Sequence, residues 1–141
     1  MYVLILKRRR LHNKKKGGAE MEIRFGDVVW VDFGENSIGS VQKGKRPAVV
    51  IQNDIGNKFS PTSIVVPITS AIKKLNMPCH KLLRCTKENG LTEDSMVLGE
   101  QVQVVSKTDI ISKLGTLNDY ECKLVLDAYF SNVPRNLKAR A

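Results

Sequence analysis

The chain has 141 residues, of which 42% are hydrophobic and 26% charged, a composition that fits one globular domain with a modest core. No apolar run approaches the roughly 20 residues of a membrane span, and three cysteines without a C-x-x-C pair argue against a disulfide framework and, with only two histidines, against a metal site. A formal net charge of +9 favours an anionic partner. We therefore expect a cytoplasmic protein without cofactor, metal or membrane contact.

The first twenty residues hold much of the charge. They carry seven Lys or Arg and one Glu, a net charge of +6, which leaves +3 for the rest of the chain. Their apolar residues precede the basic ones, the reverse of a secretory signal. The segment is either a basic arm that grips nucleic acid or a disordered leader or extension, and we favour the leader. We thus predict a leader over 1–20, one domain over 21–133 and a frayed basic tail over 134–141.

Three β-type runs follow one another in the first half of the domain. Residues 27–33 are rich in Val and Trp and predict a strand, and residues 34–44 form a long loop. Residues 48–53 predict the next strand, and Asp54-Ile55-Gly56-Asn57 predicts a tight turn. Residues 63–68 predict a third strand, in which Pro67 indicates an edge or a bulge.

The second half predicts more short strands and a final helix. Residues 79–85 are expected to pair with 95–105 around the turn Glu88-Asn89-Gly90, after one helical turn over 71–74. A short helix from Thr108 to Ser112, ending at Gly115, is expected next. Asn118 and Glu121 open the last helix as a capping box. This helix carries an apolar stripe, comprising Tyr120, Leu124, Val125, Ala128 and Tyr129.

Four segments carry a family resemblance, in the order GDVVWVDF, KRPAVVIQND, IVVPITS and DSMVLGEQVQVVSKTDI. The segment NDIGNKFSPT connects the second to the third. Over residues 21–131 the chain resembles the MazF/PemK/Kid family of toxin endoribonucleases, especially the Gram-positive type. The resemblance implies a mainly β (α+β) fold, a small SH3-like antiparallel barrel of the CcdB/Kid type with a C-terminal helix. Short strands with few helices agree with it. It also implies a homodimer, with loop 34–44 as a mobile flap over an RNA groove.

The resemblance further implies the toxin of a type II toxin–antitoxin system, inhibited by a cognate antitoxin of the MazE type. Its activity would be sequence-specific, metal-independent cleavage of single-stranded mRNA by 2′-hydroxyl attack, leaving 2′,3′-cyclic phosphate and 5′-hydroxyl ends. Two alternatives stay open. Toxins of the same fold can poison DNA gyrase, and a barrel of this kind can also be a non-enzymatic module that binds nucleic acid or protein.

The residues offer few catalytic groups for RNA cleavage. His12 and His80 are isolated, so neither has an acid or base partner, and the only adjacent acidic pair, Glu93-Asp94, lies beside a turn signal. The resemblance assigns catalysis to Arg46 and Thr69. Arg46 would clamp the phosphorane electrostatically, and Thr69 would donate a hydrogen bond to the same oxygens. Without the resemblance, a surface ion pair and a strand-end cap would explain these two residues as well.

Base recognition needs polar groups that reach the edges of unstacked bases. Matching the family pattern, the candidate RNA-binding residues are Ser40, Gln42, Asn53, Ser95, Glu100 and Gln101. Ordinary turn and strand-face hydrogen bonding is the competing explanation for each of them.

Overall fold

The computed structural model describes residues 21–35 and 42–136. The strands in this part of the chain are β1 (Asp27–Asp32), β2 (Lys45–Val50), β3 (Thr62–Thr69), β4 (His80–Leu83), β5 (Ser95–Leu98), β6 (Gln103–Ser106) and β7 (Ile110–Thr116). The α-helices are α1 (Asp54–Phe59) and α2 (Asp119–Phe130), and short 3-10 turns cover Gly99–Gln101 and Lys107–Asp109. The prediction of a mainly β fold with a C-terminal helix is confirmed.

The strands form one antiparallel sheet that curls on itself. Its order is β4-β5-β3-β2-β1-β7, and β6 pairs with β3 as well. β6 and β7 are joined by the single turn Lys107–Asp109, although they pair with β3 and β1, which β2 separates. A connection this short brings the two sides of the sheet together, as in the bent barrel that was predicted. No helix in the described part of the chain is long and apolar enough to cross a membrane.

Neighbouring residues of the central strands enter two different cores. Val28 and Val49 belong to a core that also contains Val125 of α2, so it lies between the sheet and that helix. Val29 and Val50 belong to a second core, built from the strands that curl around it. Because side chains alternate across a strand, both faces of β1 and β2 are buried, which explains why their sequences lack an apolar–polar alternation.

The capping box of the last helix is confirmed. Glu121 N donates to Asn118 Oδ1 at 2.8 Å, and Asn118 N donates to Glu121 Oε1 at 3.0 Å. The apolar stripe was predicted correctly for Val125 and Ala128, which are buried, but wrongly for Tyr120, which is 70% exposed. The buried face of the helix includes Glu121 instead, and the carboxylate of Glu121 accepts a hydrogen bond from the buried side chain of Asn89.

Three local predictions were wrong. Residues 54–59 form α1 rather than a turn, because Asn53 Oδ1 accepts the Gly56 N–H at 2.9 Å and caps the helix. Residues 71–74 are not helical. Residues 110–116 form β7 rather than a helix; Gly115 suggested a helix end, but it is needed because a Cβ there would lie 2.4 Å from the Glu88 carbonyl oxygen. In addition, Pro67 was predicted at an edge or a bulge, and the edge alternative is excluded because β3 lies inside the sheet.

Candidate active site

Pro47 ends the hydrogen-bonded ladder between β2 and β3. Ile51 N donates to Ile64 O at 2.9 Å, which fixes the alternation of bonded residues along the two strands. Following that alternation, residue 47 would have to donate its N–H to the carbonyl oxygen of Ile68. Proline has no N–H and cannot make this bond. The observed pairing accordingly stops at Ala48. Beyond Ala48 and Pro67 the two strands have no further paired residues.

Arg46 and Thr69 lie where the ladder has stopped. The last pair is Ala48 with Pro67, and the same register continued by two residues sets Arg46 opposite Thr69. Both residues are half-buried and line one cavity of about 380 Å³. The structure thus brings the two predicted catalytic residues to a single cavity, although they are far apart in sequence.

Both side chains are oriented by backbone groups. Arg46 Nε donates to Lys43 O at 2.8 Å, so the guanidinium is held at its inner nitrogen and its terminal nitrogens are left for a ligand. Thr69 Oγ1 accepts the N–H of Ala71 at 3.1 Å, so its own hydrogen remains available to an acceptor. No ion pair of Arg46 is present among the described residues. Thr69 does cap its strand end, as the competing explanation proposed.

The remaining lining of the cavity was mostly missed from the sequence. It includes Trp30, Lys45, Leu91, Glu93, Ser95 and Leu114. Trp30 lies on β1 opposite Pro47. It is the only tryptophan of the chain, and this was the one feature of the sequence that could have marked it as a site residue. Lys45 adds a second cation beside Arg46, and Glu93 adds a carboxylate. The cavity therefore offers a half-buried aromatic ring, cations and hydroxyls, the groups that bind a nucleotide.

Ser95 is the only predicted base-reading residue in the cavity lining that the described residues form. It is buried at the start of β5, and its Oγ donates to Glu93 O at 3.0 Å. Asn53, in contrast, caps α1 beyond the far end of β2 from Arg46. The four steps along the strand from Arg46 to Val50 alone span about 13 Å, so Asn53 does not share this cavity. Ser40 lies outside the described residues.

Gln42 and Gln101, both predicted, contact each other. Gln42 N donates to Gln101 Oε1 at 2.9 Å, which joins the end of loop 34–44 to the turn before β6. Gln42 Oε1 and Gln103 Nε2 are buried and lack a hydrogen-bond partner among the described residues. One is an acceptor and the other a donor, so these amides have unused capacity for a polar ligand. Gln103 was not singled out from the sequence.

Glu100 lies in a different cluster, with His80 and Cys79. His80 Nδ1 contacts Lys74 O at 2.9 Å, and His80 Nε2 lies 3.1 Å from Glu100 Oε1. Burial lowers the pKa of His80, but the Lys74 carbonyl and the Glu100 carboxylate outweigh it, and the pKa is raised. Burial, followed by the hydrogen bond to Glu100, raises the pKa of the Cys79 thiol. None of these residues lines the cavity of Arg46.

Comparison with known proteins identifies the relatives of this chain. The sequence profile of the PemK-like, MazF-like toxins of type II toxin–antitoxin systems matches residues 24–129. The chain is 42% identical over 99 residues to Endoribonuclease EndoA of Bacillus subtilis, covering 70% of this chain and 84% of that protein. It is 42% identical over 106 residues to Endoribonuclease MazF of Staphylococcus saprophyticus, covering 75% and 87%.

The fold is also similar to solved structures. A chain of the MazE–MazF complex of Deinococcus radiodurans superposes with a TM-score of 0.63 at 19% identity, over 82% of this chain and 99% of that one. At that identity, the likeness supports the shared fold.

Proposed function

This chain belongs to the family of PemK-like, MazF-like toxins of type II toxin–antitoxin systems and is an endoribonuclease of that family, and we propose that it cleaves single-stranded mRNA at Arg46 and Thr69 without a metal ion. The observation that carries this proposal is the meeting of Arg46 and Thr69 in one cavity, just beyond the last pair of β2 with β3. The products are expected to carry 2′,3′-cyclic phosphate and 5′-hydroxyl ends.

The contacts of the two side chains suit a crowded phosphorane. A planar guanidinium held at Nε presents two parallel donors to two phosphate oxygens, and its charge opposes the charge that develops there. The Thr69 hydroxyl, which accepts from Ala71, donates its hydrogen to the same group. The residues of this cavity include no histidine, so proton transfer falls to the groups around the phosphate rather than to an imidazole pair.

Base selection is proposed to involve Trp30, Ser95 and the amides at the end of loop 34–44. Trp30 supplies a stacking surface in the cavity, and Ser95 lies in the same lining. Gln42 supplies an acceptor and Gln103 a donor, neither of which has a partner in the described part of the chain. Asn53, Glu100 and Gln101 stay candidates for RNA contact farther from the scissile phosphate, and Ser40 stays a candidate for RNA contact.

We further propose that the chain acts as a homodimer in the cytoplasm and is inhibited by a cognate antitoxin. The similar Deinococcus radiodurans MazF was solved together with MazE, which supports a protein inhibitor of this kind. The net charge is +9 in all and +3 beyond the first twenty residues, so we expect an acidic inhibitor that competes with RNA.

A defined single-stranded RNA incubated with the purified chain in the presence of EDTA tests the cleavage proposal. Fragments with cyclic phosphate and 5′-hydroxyl ends, cut at a constant short sequence, are the expected result. Intact RNA combined with inhibition of DNA supercoiling by gyrase would favour a gyrase poison instead. Intact RNA without such inhibition would favour a binding module.

A further inference from the structure

The register of β4 with β5 brings three metal-binding side chains to one point. His80 pairs with Leu98, and the next amide, Gly99 N, donates to Cys79 O at 2.9 Å, so Glu100 follows directly beside both residues. Cys79 Sγ, an imidazole nitrogen of His80 and a Glu100 carboxylate oxygen all lie within 4.8 Å of one another. The cluster therefore rests on the end of a rigid ladder rather than on a loose loop.

The imidazole of His80 is oriented as a metal ligand. Its Nδ1 lies 2.9 Å from Lys74 O, which can only accept, so Nδ1 carries a hydrogen and Nε2 turns toward Glu100. A backbone carbonyl that holds the outer nitrogen is the usual support of a metal-binding histidine. Lys74 has a φ of 54°, a left-handed backbone conformation that is unfavourable for a residue with a side chain. The backbone is therefore strained at the residue that supplies this carbonyl.

Two acceptors are not stable at 3.1 Å without a cation or a proton between them. In the absence of a metal, a proton on Nε2 satisfies the contact between His80 and Glu100. The Cys79 thiol donates a hydrogen bond to the same carboxylate, so all three groups already converge on one point. A metal ion uses all three groups.

We propose that Cys79, His80 and Glu100 bind Zn²⁺. Sulfur, imidazole nitrogen and carboxylate oxygen are the zinc ligands of proteins, and one thiolate with one carboxylate balances the charge of the ion. Tetrahedral zinc sets nitrogen and oxygen ligands about 3.4 Å apart, close to the 3.1 Å between Nε2 and Oε1. The Glu100 side chain is 35% exposed, which provides an entry path and a fourth position for water.

This site does not depend on the proposed RNA cleavage. None of its three residues lines the cavity of Arg46 and Thr69, and zinc binding is measured without RNA. The sequence argument against a metal considered cysteines and histidines only and therefore omitted Glu100.

Metal-free full-length chain, prepared with EDTA and desalted, is titrated with Zn²⁺ in competition with a chromophoric chelator. We expect one equivalent to bind, and Co²⁺ in place of Zn²⁺ to give the charge-transfer absorption of a thiolate ligand. Zn²⁺ is also expected to raise the melting temperature, because it binds the folded state. Cys79→Ser, His80→Gln and Glu100→Gln should each lower the affinity by more than about tenfold, the smallest loss expected even for an outer-shell change.

Cys85→Ser is the matched control, because Cys85 lies beside a carboxylate, Asp94, but the described residues place no histidine with it. His12→Gln controls for a histidine outside the described residues. Both controls should keep the affinity. If the buried variants fail to fold, the exposed Glu100→Gln alone decides. Absence of zinc binding, or affinity that Glu100→Gln does not lower, would overturn the proposal and leave the ion pair.

Discussion

Asn89 Nδ2 donates a hydrogen bond of 2.8 Å to Glu121 Oε2, and both side chains are buried. The other oxygen of Glu121 accepts the Asn118 N–H at 3.0 Å, in the capping box of α2. Asn89 Oδ1 accepts the Leu91 N–H at 3.1 Å, in the segment that forms one wall of the cavity. A single carboxylate therefore joins the first turn of α2 to the candidate active site.

Replacing Glu121 with Gln should destabilise the domain. If the oxygen of the new amide keeps its bond to the Asn118 N–H, the NH2 group of that amide faces the NH2 group of Asn89, and both groups are donors. A buried polar group left unpaired in this way costs about 1–3 kcal/mol. Asp127→Asn is the control on the same helix, because its ion pair with Lys123 is exposed and worth at most about 0.5 kcal/mol. Urea unfolding followed by circular dichroism measures both. Equal midpoints for the two variants would contradict the role of Glu121.

Gly90 and Gly44 give a matched test of the cavity wall. Both have positive φ, +72° and +75°, so alanine is strained by a similar amount at either position. A Cβ on Gly90 would lie 2.0 Å from the Leu114 carbonyl oxygen, whereas nothing lies within 4 Å of one on Gly44. We expect Gly90→Ala to cost about 1–3 kcal/mol more in unfolding free energy than Gly44→Ala. A difference near zero would mean that the wall moves freely.

Arg46 variants should separate charge from geometry. Arg46→Ala removes the cation facing the phosphorane, and kcat should fall by at least about 10²-fold to 10³-fold. Arg46→Lys should recover only part of this, because it lacks the two-donor fork. Thr69→Val should cost less than Arg46→Ala.

Single-turnover cleavage of a cognate oligonucleotide in EDTA measures these rates. Arg84→Ala is the control, since Arg84 is 78% exposed and does not line the cavity. A folded Arg46→Ala protein with normal cleavage would remove the catalytic assignment.

Trp30 is expected to act in binding rather than in chemistry. Stacking of one base on an aromatic ring is worth about 1–3 kcal/mol, so Trp30→Ala should weaken RNA binding by about tenfold, and Trp30→Phe should weaken it less. The single-turnover rate at saturating RNA should change little. Tyr120→Ala is the control, because Tyr120 is an exposed ring outside the cavity. Equal binding by Trp30→Ala and the wild type would exclude the stacking role.

Asp54 should make part of the stability depend on pH. Its Oδ1 accepts the Phe25 N–H at 2.7 Å and the Asn57 amide at 3.3 Å, and these bonds lower the pKa of the carboxyl in the folded state. The stabilisation is therefore complete above the ordinary value of 3.8 and is lost as the pH falls through the lower folded value. The melting temperature of Asp54→Asn should lie below that of the wild type near neutrality, and the difference should shrink below pH 3.8. A constant difference would contradict this.

The features predicted well from the sequence are local or periodic. Arg46-Pro47 opens a Val-rich run and Thr69 closes another, so strand geometry alone brings them close. The capping box of Asn118 and Glu121 involves residues three apart, and its chemistry is the same in any context.

The features predicted poorly depend on contacts between distant segments. Gly115 has the sequence appearance of a helix end, but its real constraint is the approach of the backbone around Glu88. His80 and Glu100 meet only through the β4–β5 register, which spacing along the chain does not reveal. Trp30 belongs to the cavity because β1 pairs with β2, and a lone aromatic residue in a strand is more often part of a core.

The two halves of the candidate site differ in how firmly they are held. β3 is bonded to β2 on one side and to β6 and then β5 on the other, so amide hydrogens in its middle should exchange with solvent only through global unfolding. Thr69 ends this strand and still pairs with Met96, whereas Arg46 is bonded to Val31 of β1 but not to β3. A ligand that strains the site would therefore displace the arginine first, leaving the threonine as a rigid reference for the other groups.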